Sequence, residues 1–102
     1  MLTITPEELK TRLDAGEKIN LIDVREPAER AEFNIGGTHL PLGQILTMQI
    51  DEIEELKNEP VVCYCRSGNR SMQASLMLET FGFTQVTNLI GGMNAWQERF
   101  PL

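Results

Sequence analysis

Pro60-Val61-Val62-Cys63-Tyr64-Cys65-Arg66-Ser67-Gly68-Asn69-Arg70-Ser71 is the stretch that decides the fold. Val61–Tyr64 is a short apolar run of the kind carried by a strand covered on both faces. The polar, glycine-containing segment 65–70 cannot continue that strand. From Ser71 onward, Met72, Ala74, Leu76, Met77 and Leu78 predict a helix with these residues toward one side, ending near Phe81 and Gly82. A thiol therefore stands where a strand turns into a helix, with arginines one and five residues later. The first amides of a helix have no partners within it, and the helix dipole adds positive charge there, so such a junction binds anions. The same features lower a cysteine's pKa, and the thiolate is the form that attacks.

Upstream, Thr5-Pro6-Glu7-Glu8 predicts a helix start: Thr5 caps, Pro6 suits the first turn and Glu8 completes a capping box. Leu9 and Leu13 mark its buried side and Gly16 stops it. Residues 19–24 read as a strand with Asp23 at its C-terminal end, the edge of a parallel sheet where ligands bind. Arg25-Glu26-Pro27 turns into a short helical piece reaching Phe33. Residues 42–56 carry the longest helical pattern, with Leu42, Ile45, Leu46, Gln49, Ile53 and Leu56 on one side. Its acidic residues, Asp51, Glu52, Glu54 and Glu55, read as a solvated face, since metal-ligand spacing is missing.

Downstream, residues 86–89 read as a last strand, and Gly91-Gly92 permits a sharp turn into a helix over Met93–Arg99. That turn falls at the same sheet edge as Cys65, so its backbone is expected to line a pocket there. Trp96 reads as a packing anchor and the five methionines as core filler or scattered surface residues. Strands at 19–24, 38–40, 60–64 and 86–89 alternate with helices, and Ile4 adds a short edge strand. The expectation is an α/β fold: a small parallel sheet of four to five strands with helices on both faces. With 102 residues the chain makes one domain, with its core at about 5–100.

The segment Cys65-Arg66-Ser67-Gly68-Asn69-Arg70-Ser71 resembles the active-site loop of the rhodanese (sulfurtransferase) family. Leu21-Ile22-Asp23-Val24-Arg25-Glu26-Pro27 and Leu89-Ile90-Gly91-Gly92-Met93-Asn94-Ala95-Trp96 agree with it in order and spacing. The resemblance implies a rhodanese-like fold and a sulfane sulfur carried as a persulfide on Cys65. In that reading the amides of Arg66, Ser67, Gly68, Asn69 and Arg70 cradle the sulfur. Arg66 steers an anionic donor, and Arg70 either does the same or braces the loop. Asp23, otherwise a turn or cap residue, becomes a brace for the loop through Arg70 or Arg66, and Arg25 stands with it as support.

Two positions depart from the family pattern: Asn34 stands where its histidine is expected, and His39 where its asparagine is expected. His39 therefore reads as a structural group and is left out of the site. Phosphate-handling cysteine enzymes place five residues between cysteine and arginine, and this chain has four. The smaller ring suits one sulfur atom better than a tetrahedral oxyanion, which disfavours phosphatase or arsenate reductase chemistry. Cys63 reads as a small buried hydrophobe, with a resolving thiol as its sharper alternative and zinc binding a poor third.

A formal charge of −6 argues against nucleic acid and against an anionic membrane. No run has the length of a membrane span, residues 1–6 do not resemble a signal peptide, and Cys-Tyr-Cys spacing does not suit a disulfide. The expectation is a cytoplasmic protein without cofactor or metal. Its partners would be a small anionic sulfur donor, thiosulfate or a persulfide, and a protein or small-thiol acceptor. The competing reading is a module that relays sulfur to a dedicated protein, or binds one, without activity on free thiosulfate.

Overall fold

The computed structural model describes residues 1–101. A five-stranded, fully parallel sheet is built from β1 (Leu2–Ile4), β2 (Asn20–Asp23), β3 (Thr38–His39), β4 (Val61–Tyr64) and β5 (Val86–Leu89), in the spatial order β1-β5-β4-β2-β3. The helices α1 (Pro6–Asp14), α2 (Pro27–Glu32), α3 (Leu42–Leu46) and α4 (Asn69–Thr80) lie in the four crossovers, the third also holding a 3-10 helix over Asp51–Leu56, and α5 (Gly92–Arg99) follows the last strand. β4 lies at the centre, and all four of its residues are buried.

Alternation along β4 divides the core in two. Val61 and Cys63 pack with Ile45, Ile53, Ala74 and Leu78, under α3, the 3-10 helix and α4. Val62 and Tyr64 pack on the other face with Leu9, Met93 and Trp96, under α1 and α5. Successive strand side chains point to opposite faces, so an uninterrupted apolar run is what a strand covered by two helical layers needs. The capping box at α1 forms as its sequence dictates: the Glu8 amide donates to Thr5 Oγ1 at 3.1 Å, and the Thr5 amide to Glu8 Oε1 at 2.9 Å.

Two expectations need correction. Residues 42–56 do not form one helix. α3 ends at Leu46; the hydroxyl of Thr47, which caps it, donates back to the Gly43 carbonyl at 2.9 Å, and Met48 follows in the left-handed region at φ 59°. The break turns Ile50 inward beside Ile45 and Ile53, and leaves Leu46 and Gln49 exposed. In α4 the buried stripe is Ser71, Ala74, Ser75 and Leu78, at helical spacing, whereas Met72 and Leu76 face solvent. Two serines can lie in that stripe because both are satisfied: Ser75 Oγ donates to the Ser71 carbonyl at 2.7 Å, and Ser71 is held as described below.

Among the described residues, no helix is long and apolar enough to cross a membrane. No group of three or more His, Cys, Asp or Glu side chains comes together as a metal set among them either.

Candidate active site

Cys65 is the first residue beyond β4 and is fully buried. The chain turns at Gly68, whose φ of 104° lies in the left-handed region open to glycine, and α4 starts at Asn69. This curl brings three donors onto Cys65 Sγ: the Gly68 amide at 3.0 Å, the Ser71 hydroxyl at 3.3 Å and the Ser71 amide at 3.4 Å. Burial pushes the Cys65 thiol up. The bonds from the Ser71 side chain and amide, joined by the amides of Gly68 and Ser67, outweigh it and hold the pKa below the ordinary thiol value. The cradle is thus narrower than the full run of amides from 66 to 70, and it includes Ser71, one residue beyond that run.

α5 closes the site from the other side. Gly91 and Gly92 have φ of 73° and 54°, and the Met93 and Asn94 amides donate to the Cys65 and Arg66 carbonyls at 2.8 and 2.9 Å. A side chain at Gly92 would collide with those same backbone atoms, so the close approach requires glycine. The first free amides of α5 therefore hold the loop's carbonyls, while the turn into α4 presents its amides to the sulfur.

Arg66 and Arg70 converge on one carboxylate, Glu29 of α2. Arg70 donates through Nη1 to Glu29 Oε1 at 2.7 Å and through Nη2 to Oε2 at 2.8 Å; Arg66 Nε reaches Oε2 at 3.0 Å. The Arg70 bonds, with help from the Glu26 backbone and Arg66, hold the Glu29 carboxyl far below the usual carboxylate range.

Asp23 does not brace the loop through either of these arginines. Its carboxylate is fully buried and bound by Arg25, Nε to Oδ1 and Nη2 to Oδ2, both at 2.9 Å, with Arg30 Nη1 at 3.4 Å. Arg25 also donates to the Phe33 carbonyl at 2.6 Å and lies over the Tyr64 ring, 5.5 Å from its centre. The physical reason is reach. Two residues along the same turn, Arg25 gives a bidentate match that the loop arginines, committed to Glu29, do not.

The remaining loop residues split. Ser67 and Asn69 have exposed side chains and Gly68 is buried. His39 lies outside the cradle, its Nε2 2.8 Å from the Arg25 carbonyl. Since a carbonyl only accepts, that nitrogen carries the proton. Asn34 caps its own turn, donating to the Arg30 carbonyl at 3.0 Å and accepting from the Gly36 amide at 2.9 Å. Cys63 is fully buried, and burial pushes its thiol up to about 12. In this conformation it is a neutral, apolar group.

Three contributors went unread in the sequence: Glu29, Ser71 and Asn88. Asn88 in β5 is buried, accepts from Ser71 Oγ at 2.5 Å and donates to the Gly68 carbonyl at 3.3 Å. The sequence signal was slight: Asn88 stands beside Thr87, a second polar residue, between Val86 and Leu89.

A parallel sheet that presents a hydrogen-bonded, acidified cysteine on the loop entering α4 defines a class of thiol-centred α/β domains. A family model described as Rhodanese-like domain matches residues 5–99, and the chain belongs to that family. A sulfurtransferase from Allochromatium vinosum is 42% identical over 94 residues, which cover 91% of this chain and 85% of that protein. A probable adenylyltransferase/sulfurtransferase, MoeZ, from Mycobacterium tuberculosis is 35% identical over 97 residues, and the chain spans only 25% of its length. The crystal structure of a rhodanese-like domain protein from Staphylococcus aureus superposes with a TM-score of 0.82 at 30% identity. That match covers 94% of this chain and 91% of the other.

Proposed function

We propose that the protein transfers a sulfane sulfur from thiosulfate or a persulfide to a thiophilic acceptor, through a persulfide on Cys65. The observation that carries this reading is the ring of donors on Cys65 Sγ, which favours the thiolate. With thiosulfate, the thiolate attacks the sulfane sulfur, the S–S bond breaks and sulfite leaves with the bonding pair. With an organic persulfide R–S–SH, the outer sulfur moves to Cys65 and R–S⁻ departs. In both cases Cys65 Sγ becomes the neutral inner sulfur and the outer one carries the charge or proton.

Unloading reverses the polarity. An acceptor thiolate attacks the outer sulfur, forms its own persulfide and returns Cys65 as a thiolate, so no net oxidant is needed. The cradle stabilises the Cys65 thiolate that attacks the donor and that leaves on unloading, without a general base, because no proton has to be removed once the thiolate exists. Arg66 and Arg70 stand beside the cradle as the cationic groups nearest an incoming donor. Asp23 supports the site at one remove, by fixing Arg25 in its wall.

The test is turnover with cyanide as acceptor, followed as thiocyanate formation, for wild type and Cys65→Ser. Cys65-dependent turnover supports the reading. Turnover that survives Cys65→Ser, or Cys65-dependent hydrolysis of an aryl phosphate without sulfur transfer, contradicts it.

A further inference from the structure

Asn88 stands in β5 opposite Cys63 of β4, with its side chain beneath the turn that leads from Cys65 into α4. The orientation of its amide is fixed by chemistry. The Gly68 carbonyl can only accept, so Nδ2 faces it, at 3.3 Å, and Oδ1 is left to face Ser71 Oγ at 2.5 Å. Oδ1 cannot donate, so the Ser71 hydroxyl must. That hydroxyl also lies 3.3 Å from Cys65 Sγ. Ser71 and Asn88 are 0% and 5% exposed, so bulk water does not supply a second donor. One proton therefore serves two acceptors.

Cys65 Sγ competes for that proton only when it carries charge. As a thiol, and as the inner sulfur of a persulfide, it is neutral and a weak acceptor, because in the persulfide the charge has moved one S–S bond outward. In both neutral states the hydroxyl belongs to Asn88. In the thiolate it turns to the sulfur, and Oδ1 loses its donor. Asn88 thus opposes ionisation of Cys65 and favours the loaded form over the free thiolate.

We propose that Asn88 sets the balance between free thiolate and persulfide, by receiving the Ser71 proton whenever Sγ gives up its charge. It acts through Ser71 and touches no reacting atom, so it is a positioning residue. Its effect on loading rests on the sulfur-transfer reading above; its effect on ionisation does not. The charged and titratable groups around Cys65 are held elsewhere. Arg70 of α4, which attracts the thiolate, is clamped with Arg66 on Glu29 of α2, and Cys63 of β4 is neutral. Asp23 and Arg25, after β2, bind each other, and α5 brings glycine backbone to the loop. None of these groups bonds Asn88, so a substitution there leaves them in place.

The test is Asn88→Leu, which is similar in size and lacks both polar ends. The Gly68 carbonyl keeps the Met72 amide at 3.1 Å, and the Ser71 hydroxyl keeps that carbonyl as a poorer acceptor at 3.2 Å. The loss is that of about one ordinary hydrogen bond, a factor of about five. The midpoint of Cys65 alkylation by iodoacetamide should move to lower pH, equivalent to an ionisation constant about fivefold larger. Above that midpoint, loading is read by intact mass at fixed ratios of thiosulfate to sulfite, and its equilibrium constant should fall about fivefold. In a Ser71→Ala background, Asn88→Leu should change neither value.

A residue that merely supported the cradle would move the midpoint the other way. A midpoint that rises or stays in place, or a shift that persists without the Ser71 hydroxyl, overturns the inference. If Asn88→Leu does not fold, the unmodified protein decides. The Asn88 side-chain carbonyl carbon, followed by NMR, should shift as Cys65 ionises and return on loading, and a resonance indifferent to ionisation overturns the inference. Failure of wild type to take sulfur from either thiosulfate or cysteine persulfide would instead overturn the sulfur-transfer reading, with the alkylation profiles still deciding the role of Asn88.

Discussion

Ser71→Ala isolates the device that prepares Cys65. The Ser71 hydroxyl has one proton and three acceptors within reach: Asn88 Oδ1 at 2.5 Å, the Gly68 carbonyl at 3.2 Å and Cys65 Sγ at 3.3 Å. While Cys65 is a thiol, the short bond to Asn88 holds that proton. When Cys65 ionises, the hydroxyl gains by turning to the sulfur. A hydrogen bond to a charged group contributes about 1.5–3 kcal/mol, and surrendering the Asn88 bond offsets part of it. About 1.4 kcal/mol remains, a factor of about ten.

The amides of Gly68 and Ser71 survive the substitution, so the thiolate is weakened and not abolished. The assay is the pH dependence of iodoacetamide alkylation of Cys65, read by mass spectrometry. The variant's profile should move to higher pH, with alkylation about tenfold slower well below the titration. A profile that superimposes on the wild type, or moves to lower pH, would refute the role given to the hydroxyl.

Asp23→Asn should cost about 3 kcal/mol in urea unfolding, because it strips the counter-charge from Arg25, which is only 3% exposed. Gly92→Ala combines an unfavourable φ of 54° with overlap on the Cys65 and Arg66 backbone, so thermal unfolding should show a loss of at least about 2 kcal/mol, accompanied by impaired sulfur loading. Asp23 and Glu29 both titrate below their ordinary values of 3.8 and 4.5 when folded, so the stability they contribute is full above those values and lost as pH falls toward the folded ones. Urea midpoints measured from pH 6 down to pH 3 should therefore hold until about pH 5 and then fall, less steeply in Glu29→Gln.

How far the sequence could be read follows from how local each signal was. The capping box at Thr5, the alternating core of β4 and the glycine turns at Gly68 and Gly91-Gly92 are short-range devices, and each formed where its residues stand. Residues 42–56 misled because Leu46 and Gln49 completed a helical stripe that Thr47 and Met48 interrupt. Helical spacing carries no mark for a left-handed residue that is not glycine.

The arginine partners were illegible for a different reason. Glu29 is 37 and 41 positions from Arg66 and Arg70, and in the sequence it is one more acidic residue on a short helix. Asp23 was the more conspicuous carboxylate, at the end of a strand, yet Arg25 claims it first by proximity along the chain. Ser71 and Asn88 show a subtler limit. In the sequence Ser71 follows the polar run 66–70 and Asn88 stands beside Thr87, so neither is marked out, and only the fold shows that the two are buried and meet each other beneath a sulfur.

The central claim is that Cys65 carries the transferred sulfur, and peptide mapping after loading tests it most directly. The protein is incubated with cysteine persulfide or thiosulfate, trapped by alkylation and digested, and the added sulfur is located by fragmentation within the peptide that contains both Cys63 and Cys65. The account predicts one extra sulfur on Cys65, removable by cyanide, with Cys63 unmodified in its apolar layer. Sulfur located on Cys63, or an unmodified Cys65 in protein that has turned over donor, would contradict it.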